Sequence, residues 1–154
     1  MKTIQLTKGY VAVVDDDDYA EVCKYKWTSA VRPTTVYAYR MVNRKAILLH
    51  RFILGLHDVS KVDVDHKDHN GLNCRKKNLR LATRSQNIAG ARKHRDGKRK
   101  YKGVWKKSKN SWVAELYVNG ERKRKYGFKS EEEAARWYDL QACLWFGEFA
   151  HTNF

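Results

Sequence analysis

Between residues 75 and 109 the chain carries fifteen Lys or Arg side chains and one acid, Asp96. Ionised side chains at that density repel one another and stay in water, so the tract cannot supply a core. It forms a cationic track: nearly all of the formal net charge of +15 lies there, and the rest of the 154 residues come close to balance. Such a track points to nucleic acid. Neutralising about 6 to 10 phosphates would weaken binding roughly a thousandfold or more between low and moderate salt.

The flanking sequence can fold. With 42% hydrophobic and 12% aromatic residues it can build compact cores of modest size, which excludes wholesale disorder. No apolar run approaches the roughly 18 residues of a spanning helix, so no membrane partner is expected. The N-terminus lacks a signal-like apolar segment, which predicts a cytoplasmic protein. Cys23, Cys74 and Cys143 are odd in number and widely separated, so they support neither a disulfide framework nor a cysteine zinc site.

The residue pattern falls into three parts. β-branched and aromatic residues predict short strands over 3–6, 10–14, 25–30, 36–42 and 46–49, broken at Lys8-Gly9, Arg32-Pro33 and Asn43-Arg44. The acidic run from Asp15 to Asp18 reads as the start of a helical turn over 16–23, where negative charge favours the N-terminus. A short apolar helix over 50–56, a polar loop, and helices near 76–79 and from about 83 follow. Residues 84–100, with Gly90 and Gly97, read as a linker or as a helix that orders on DNA. Beyond them, strands over 101–104, 112–118 and 122–127 include a hairpin at Asn119-Gly120. Ser130 with Glu133 then reads as a capping box for a helix to about 146. On that helix Ala134, Ala135, Tyr138, Ala142 and Trp145 share a face and are expected in the core.

The polar loop carries the chemistry. It reads Val64-Asp65-His66-Lys67-Asp68-His69-Asn70-Gly71-Leu72-Asn73, with Asn78-Leu79 and Asn87 downstream. Asp65 offers an oxygen ligand for a hard divalent ion, and His66 a base whose free pKa lies near neutrality. Adjacent strand residues point to opposite faces. Both therefore serve one site only where the strand bends, or where metal and substrate lie on different sides of it. Asn87 can return a neutral oxygen to a site with few protein ligands, which suits magnesium.

At these positions the sequence resembles the HNH nuclease family, in its phage and intron homing-endonuclease branch. That branch reads Asp-His, then Asn-Leu, then a final Asn in place of the last His. The resemblance spans about residues 45–90 and includes His50-Arg51, similar to the His-Arg that opens the family's preceding helix. Two positions depart from the pattern: His69 precedes Asn70-Gly71 where Gly-Asn is usual, and Cys74 follows Asn73 where a second Asn is common. The resemblance implies that Asp65 and Asn87 hold one Mg2+ or Mn2+ ion. It further implies that His66 activates the attacking water, that Asn78 braces the loop and orients the base, and that the products carry 5′-phosphate and 3′-hydroxyl ends.

A second resemblance covers residues 100–154. Tyr101-Lys102-Gly103-Val104-Trp105, Ser111-Trp112-Val113-Ala114-Glu115-Leu116, Gly127-Phe128, the segment opening Ser130-Glu131-Glu132-Glu133-Ala134-Ala135 and the ending Gly147-Glu148-Phe149-Ala150-His151-Thr152-Asn153-Phe154 are similar to the APETALA-type DNA-binding domain of plant ethylene-response factors. Phage HNH nucleases often carry such a domain, whose sheet lies in the DNA major groove. By that resemblance Lys102, Trp105, Lys107, Trp112, Glu115, Arg122 and Arg124 are candidate DNA contacts, joined by Arg84, Arg92 and Lys93 of the basic tract. Trp112 is equally readable as a core aromatic. Of the four consecutive cations 122–125, alternation lets Arg122 and Arg124 share the DNA face.

The sequence thus predicts an α+β chain. An N-terminal β-rich HNH (ββα-metal) nuclease domain, residues 1–90, and a basic linker, 91–99, precede a small three-stranded antiparallel sheet packed on one helix, 100–154. The expected activity is metal-dependent hydrolysis of double-stranded DNA by a phage homing-type endonuclease in a bacterial host. The alternative is a non-catalytic DNA-binding or regulatory protein that retains the fold. Monomer and homodimer both remain open, and residues 1–48 either contact DNA or complete the nuclease fold.

Overall fold

A computed structural model describes residues 1–59, 62–91 and 99–154, which form two compact units, Met1–Leu81 and Ala82–Phe154. Arg92, Lys93 and most of the expected linker lie outside the described residues. The chain mixes four helices with four small sheets among the described residues. Among the described residues no helix is long and apolar enough to cross a membrane.

In the first unit β1 (Lys2–Gln5) pairs antiparallel with β2 (Val11–Val14) across a turn in which Lys8 and Gly9 take positive φ. Helix α1 (Asp16–Val22) follows. Strands β3 (Thr28–Val31), β4 (Val36–Val42) and β5 (Lys45–Leu48) form an antiparallel sheet in that order. Asn43 and Arg44, both at positive φ, close its second hairpin in the manner of a twist-matched two-residue turn. Helix α2 (Leu49–Ile53) leaves β5 directly. Strand β6 (Asp63–His66) pairs with β7 (Leu79–Ala82), a strand not expected from sequence, and the expected helix near 76–79 is one 3₁₀ turn, Lys76–Asn78.

Alternate strand residues and single helix faces meet in a core of Ile4, Leu6, Ala12, Val14, Val22, Trp27, Ala38, Leu49 and Cys74. The polar loop is bound to this core by its backbone. The Val13 amide donates to the Leu72 carbonyl and the Cys74 amide to the Val13 carbonyl, both at 2.8 Å. The acidic run acts here too. Asp15 occupies the cap position of α1, yet its Oδ2 accepts the Lys76 amide at 2.7 Å, and Asp18 Oδ1 accepts Lys76 Nζ at 2.6 Å. These acids hold the loop in place of the expected helix capping.

In the second unit β8 (Val104–Ser108), β9 (Ser111–Val118) and β10 (Glu121–Phe128) form an antiparallel sheet in the order β10-β9-β8. Helix α4 (Glu131–Phe146) packs on it through Ala134, Ala135, Tyr138, Ala142 and Phe146. Ser130 Oγ caps its Glu133 amide at 3.0 Å, while the Glu133 carboxylate takes the Lys129 amide and not that of Ser130, so half of the expected box is made. Trp145 is 52% exposed, against expectation. The inward stripe steps four residues from Ala142 to Phe146, which turns Trp145 to solvent.

Helix α3 (Arg84–Gly90) opens with a complete capping box between Thr83 and Gln86. It packs in the second unit: Ala89 joins that core, and the Asn119 amide donates to Ser85 Oγ at 2.8 Å. Lys102 closes its far end, donating from Nζ to the carbonyls of Ala89 and Ala91 at 2.5 and 2.7 Å. By packing, the division therefore falls at 81/82, where the sequence reading had kept residues 82–90 with the nuclease domain.

Candidate functional site

Strand β6 delivers two buried side chains at its end, Asp65 and His66, 8% and 5% exposed. Strand alternation sends them to different neighbours. Asp65 Oδ2 accepts Nε and Nη2 of Arg80, both at 2.8 Å, from the paired strand β7. His66 turns to Tyr37 of β4 and His50 of α2, with ring centroids 5.9 and 4.8 Å away. Tyr37 also meets His50 at 5.6 Å, so three rings line this wall.

The turn after His66 is fixed by side chains. The Asp68 amide donates to Asn78 Oδ1 at 3.1 Å, and Asn78 Nδ2 donates to Asp68 Oδ1 at 2.9 Å and to the Asn73 carbonyl at 2.8 Å. Asn73 Nδ2 reaches Asp68 Oδ2 at 2.6 Å, and Arg75 Nε reaches Asn73 Oδ1 at 2.8 Å. Gly71 fits because it has no side chain: a Cβ would stand 2.5 Å from the Val36 carbonyl and 2.7 Å from the Tyr37 ring. Arg51 holds the preceding segment by donating to the carbonyls of Leu56, Val59 and Val62.

Burial sets the electrostatics. It pushes His66 down to about 4 against the opposing pull of Asp68 and Asp65, so the ring is neutral at pH 7. Burial, then His66 and Arg51, hold His50 down to about 3. Asp68 sits below the usual carboxylate range: its hydrogen bonds from Asn73, Asn70 and Asn78 outweigh a desolvation that acts the other way.

A metal at this site would have few protein donors. Among the described residues no group of three or more His, Cys, Asp or Glu side chains is placed to hold an ion. Arg80 engages Oδ2 of Asp65, which leaves Oδ1 as the oxygen for a cation. That donor set fits a hard ion that keeps water and substrate phosphate as its other ligands. Asn87 lies half-buried on α3, and the role of second ligand reaches it through the sequence pattern.

The sheet face opposite α4 gathers several of the candidate DNA contacts. The β9–β10 register sets Arg124 against Glu115 and Arg122 against Tyr117. Glu115 pairs with both arginines. The Arg124 guanidinium lies 5.3 Å from the Trp105 ring and 5.7 Å from Tyr126, and Lys107 lies 4.7 Å from Tyr126. Arg84 is exposed at the start of α3. Two candidates point elsewhere. Lys102 is turned inward onto the carbonyls of α3, and Trp112 packs against the core shared with α4. Here the same alternation that exposes Arg122 and Arg124 turns Trp112 inward.

Arg80, Tyr37 and Asp68 were missed as site residues. Arg80 reads in the sequence as one more cation of the basic tract, and only the pairing of β6 with β7 brings it to Asp65. Nothing local distinguishes Tyr37 from the other tyrosines of the N-terminal strands.

Comparison with known proteins identifies the family. The HNH endonuclease family matches residues 48–89. An Acanthamoeba polyphaga mimivirus protein named as HNH endonuclease L560 is 38% identical over 150 residues, covering 95% of this chain and 76% of the relative. No solved structure matches. The family matches within this chain and the relative aligns with 95% of it, so the chain belongs to the HNH endonuclease family and is a phosphodiester-cleaving enzyme of that kind.

Proposed function

We propose that the protein is a divalent-metal-dependent, homing-type DNA endonuclease, with His66 as general base, Asp65 and Asn87 as the ligands of one Mg2+ or Mn2+ ion, and the second unit as the module that targets it. The observation that carries this reading is His66: a buried imidazole, neutral at pH 7, that follows Asp65 on a strand whose turn is braced by Asn78. A neutral imidazole can take a proton from water as that water attacks phosphorus in line. The bound ion would stabilise charge on a non-bridging oxygen and on the departing 3′ oxygen. Arg80 holds one Asp65 oxygen in place, and the Asp68-Asn78-Asn73 bonds fix the turn that follows the base. The ends left are 5′-phosphate and 3′-hydroxyl.

Targeting is assigned to the face bearing Trp105, Lys107, Arg122 and Arg124, with Arg84, Arg92 and Lys93 as phosphate contacts of the basic tract. Glu115 serves that face by fixing the two arginines. One active site per chain makes nicking the natural outcome for a monomer. The test is incubation of plasmid DNA with the wild type and with His66→Ala, in magnesium or manganese. Nicking by the wild type alone supports the reading, and equal nicking by both removes His66 as base.

A further inference from the structure

Among the described residues, two buried ring nitrogens of the site have no hydrogen-bond partner, His66 Nε2 and His50 Nδ1. Their rings stand edge to face, 4.8 Å between centroids and 89° between planes. A neutral imidazole has one N–H and one lone pair, so each ring must find one acceptor and one donor. Buried polar atoms left without either are rare in native proteins. With the rings in edge-to-face contact, the two unpartnered nitrogens are placed to satisfy each other.

The direction of that bond follows from exposure. Nε2 is the ring nitrogen of His66 that the protein encloses without a partner, and Nδ1 is not among such enclosed atoms, so Nδ1 is the nitrogen left to meet water. A base must carry its lone pair on the accessible atom. The proton then resides on Nε2 and needs an acceptor inside the protein.

We propose that His50 is a positioning residue whose Nδ1 accepts the Nε2–H of His66, holding His66 in the tautomer that keeps its Nδ1 lone pair free for water. This rests on the reading of His66 as the base. The surroundings suit the task. Leu49 beside His50 is fully buried, and Arg51 on its other side is tied to three carbonyls, so α2 presents His50 from a rigid seat. The Tyr37 ring flanks both imidazoles, 5.6 Å from His50 and 5.9 Å from His66 between centroids. Partners of this kind fix the tautomer and orientation of a working histidine.

The experiment compares the full-length wild type with His50→Phe and His50→Gln. The His66 tautomer is read from nitrogen-15 shifts in the metal-free protein, and kcat, KM and DNA affinity are measured in saturating manganese. The wild type should show His66 protonated at Nε2. His50→Phe keeps the ring shape and loses the acceptor. It should mix the two tautomers and lower kcat about 10- to 100-fold with KM and DNA affinity unchanged. His50→Gln restores an acceptor and should recover most of both signals. A wild-type His66 protonated at Nδ1, an unchanged tautomer in His50→Phe, or equal losses in Phe and Gln variants would each overturn the proposal. Should His50→Phe fail to fold, the wild-type and Gln spectra decide alone. Full cleavage by His66→Ala would instead remove the base and leave the tautomer result standing as a measurement on the pair.

Discussion

Asp68 and Asn78 grip each other twice, the Asp68 amide donating to Asn78 Oδ1 at 3.1 Å and Asn78 Nδ2 donating back to Asp68 Oδ1 at 2.9 Å. Because Asn78 is buried and also holds the Asn73 carbonyl, Asn78→Ala leaves several polar groups unmatched. The expected cost is about 1–3 kcal/mol, read as a lower urea midpoint, together with slower plasmid nicking. Nicking at the wild-type rate would deny the turn any part in placing the base.

Acid should unfold the first unit earlier than its carboxylates alone require. His66 at about 4 and His50 at about 3 lie below their free value of 6.5, so the unfolded chain binds protons that the folded chain refuses. The contribution of each is full above pH 6.5 and shrinks as pH falls toward the folded value. For His66 it amounts to about 3 kcal/mol. Urea midpoints of the metal-free protein should fall between pH 6.5 and 4, and a flat profile there contradicts buried neutral histidines.

Arg80 is the counter-charge of a buried carboxylate. Arg80→Met leaves Asp65 uncompensated and should destabilise by about 3–5 kcal/mol. Added magnesium should restore more stability to this variant than to the wild type, since a cation can take over the carboxylate. Equal metal-induced shifts in thermal melting would separate Asp65 from metal binding.

Gly71→Ala drives a Cβ into the Val36 carbonyl and the Tyr37 ring. Backbone must move, at about 1–3 kcal/mol, and the wall beside His66 moves with it. Lower melting temperature and reduced nicking are expected together. An Ala variant that melts and cuts like the wild type would show that the loop can relax at no cost.

Lys102 and Arg124 should separate cleanly by salt dependence. Lys102→Met removes the donor that closes α3, lowering stability by about 1–3 kcal/mol while leaving the slope of DNA affinity against salt unchanged. Arg124→Ala should reduce that slope by about one. Fluorescence anisotropy across a sodium chloride series distinguishes them, and a lowered slope for Lys102→Met would place it on the DNA.

The gathering of Asp65, His66 and Asn78 around one turn was legible in the sequence because it depends on short spacings within one loop held by its own hydrogen bonds. The hairpins at Asn43-Arg44 and Asn119-Gly120 were legible for the same local reason. Arg80 was not: its meaning comes from pairing across β6 and β7, and β7 is too short to show a period. Trp145 was misplaced because steps of three and four both continue a helical stripe, and only packing chooses between them. Lys102 looked like a DNA contact because its acceptors, the carbonyls of α3, lie more than ten residues away in the chain.

The allegiance of α3 bears on how such chains are shuffled in evolution or in the laboratory. A crossover in the basic tract would leave α3 upstream without the lysine that closes it and without the sheet that Ala89 helps to cover. A crossover at residue 82 would carry Asn87 away with the incoming module. The matched segment, 48–89, is therefore no portable cassette, and a new second unit must arrive with its own fitted final helix.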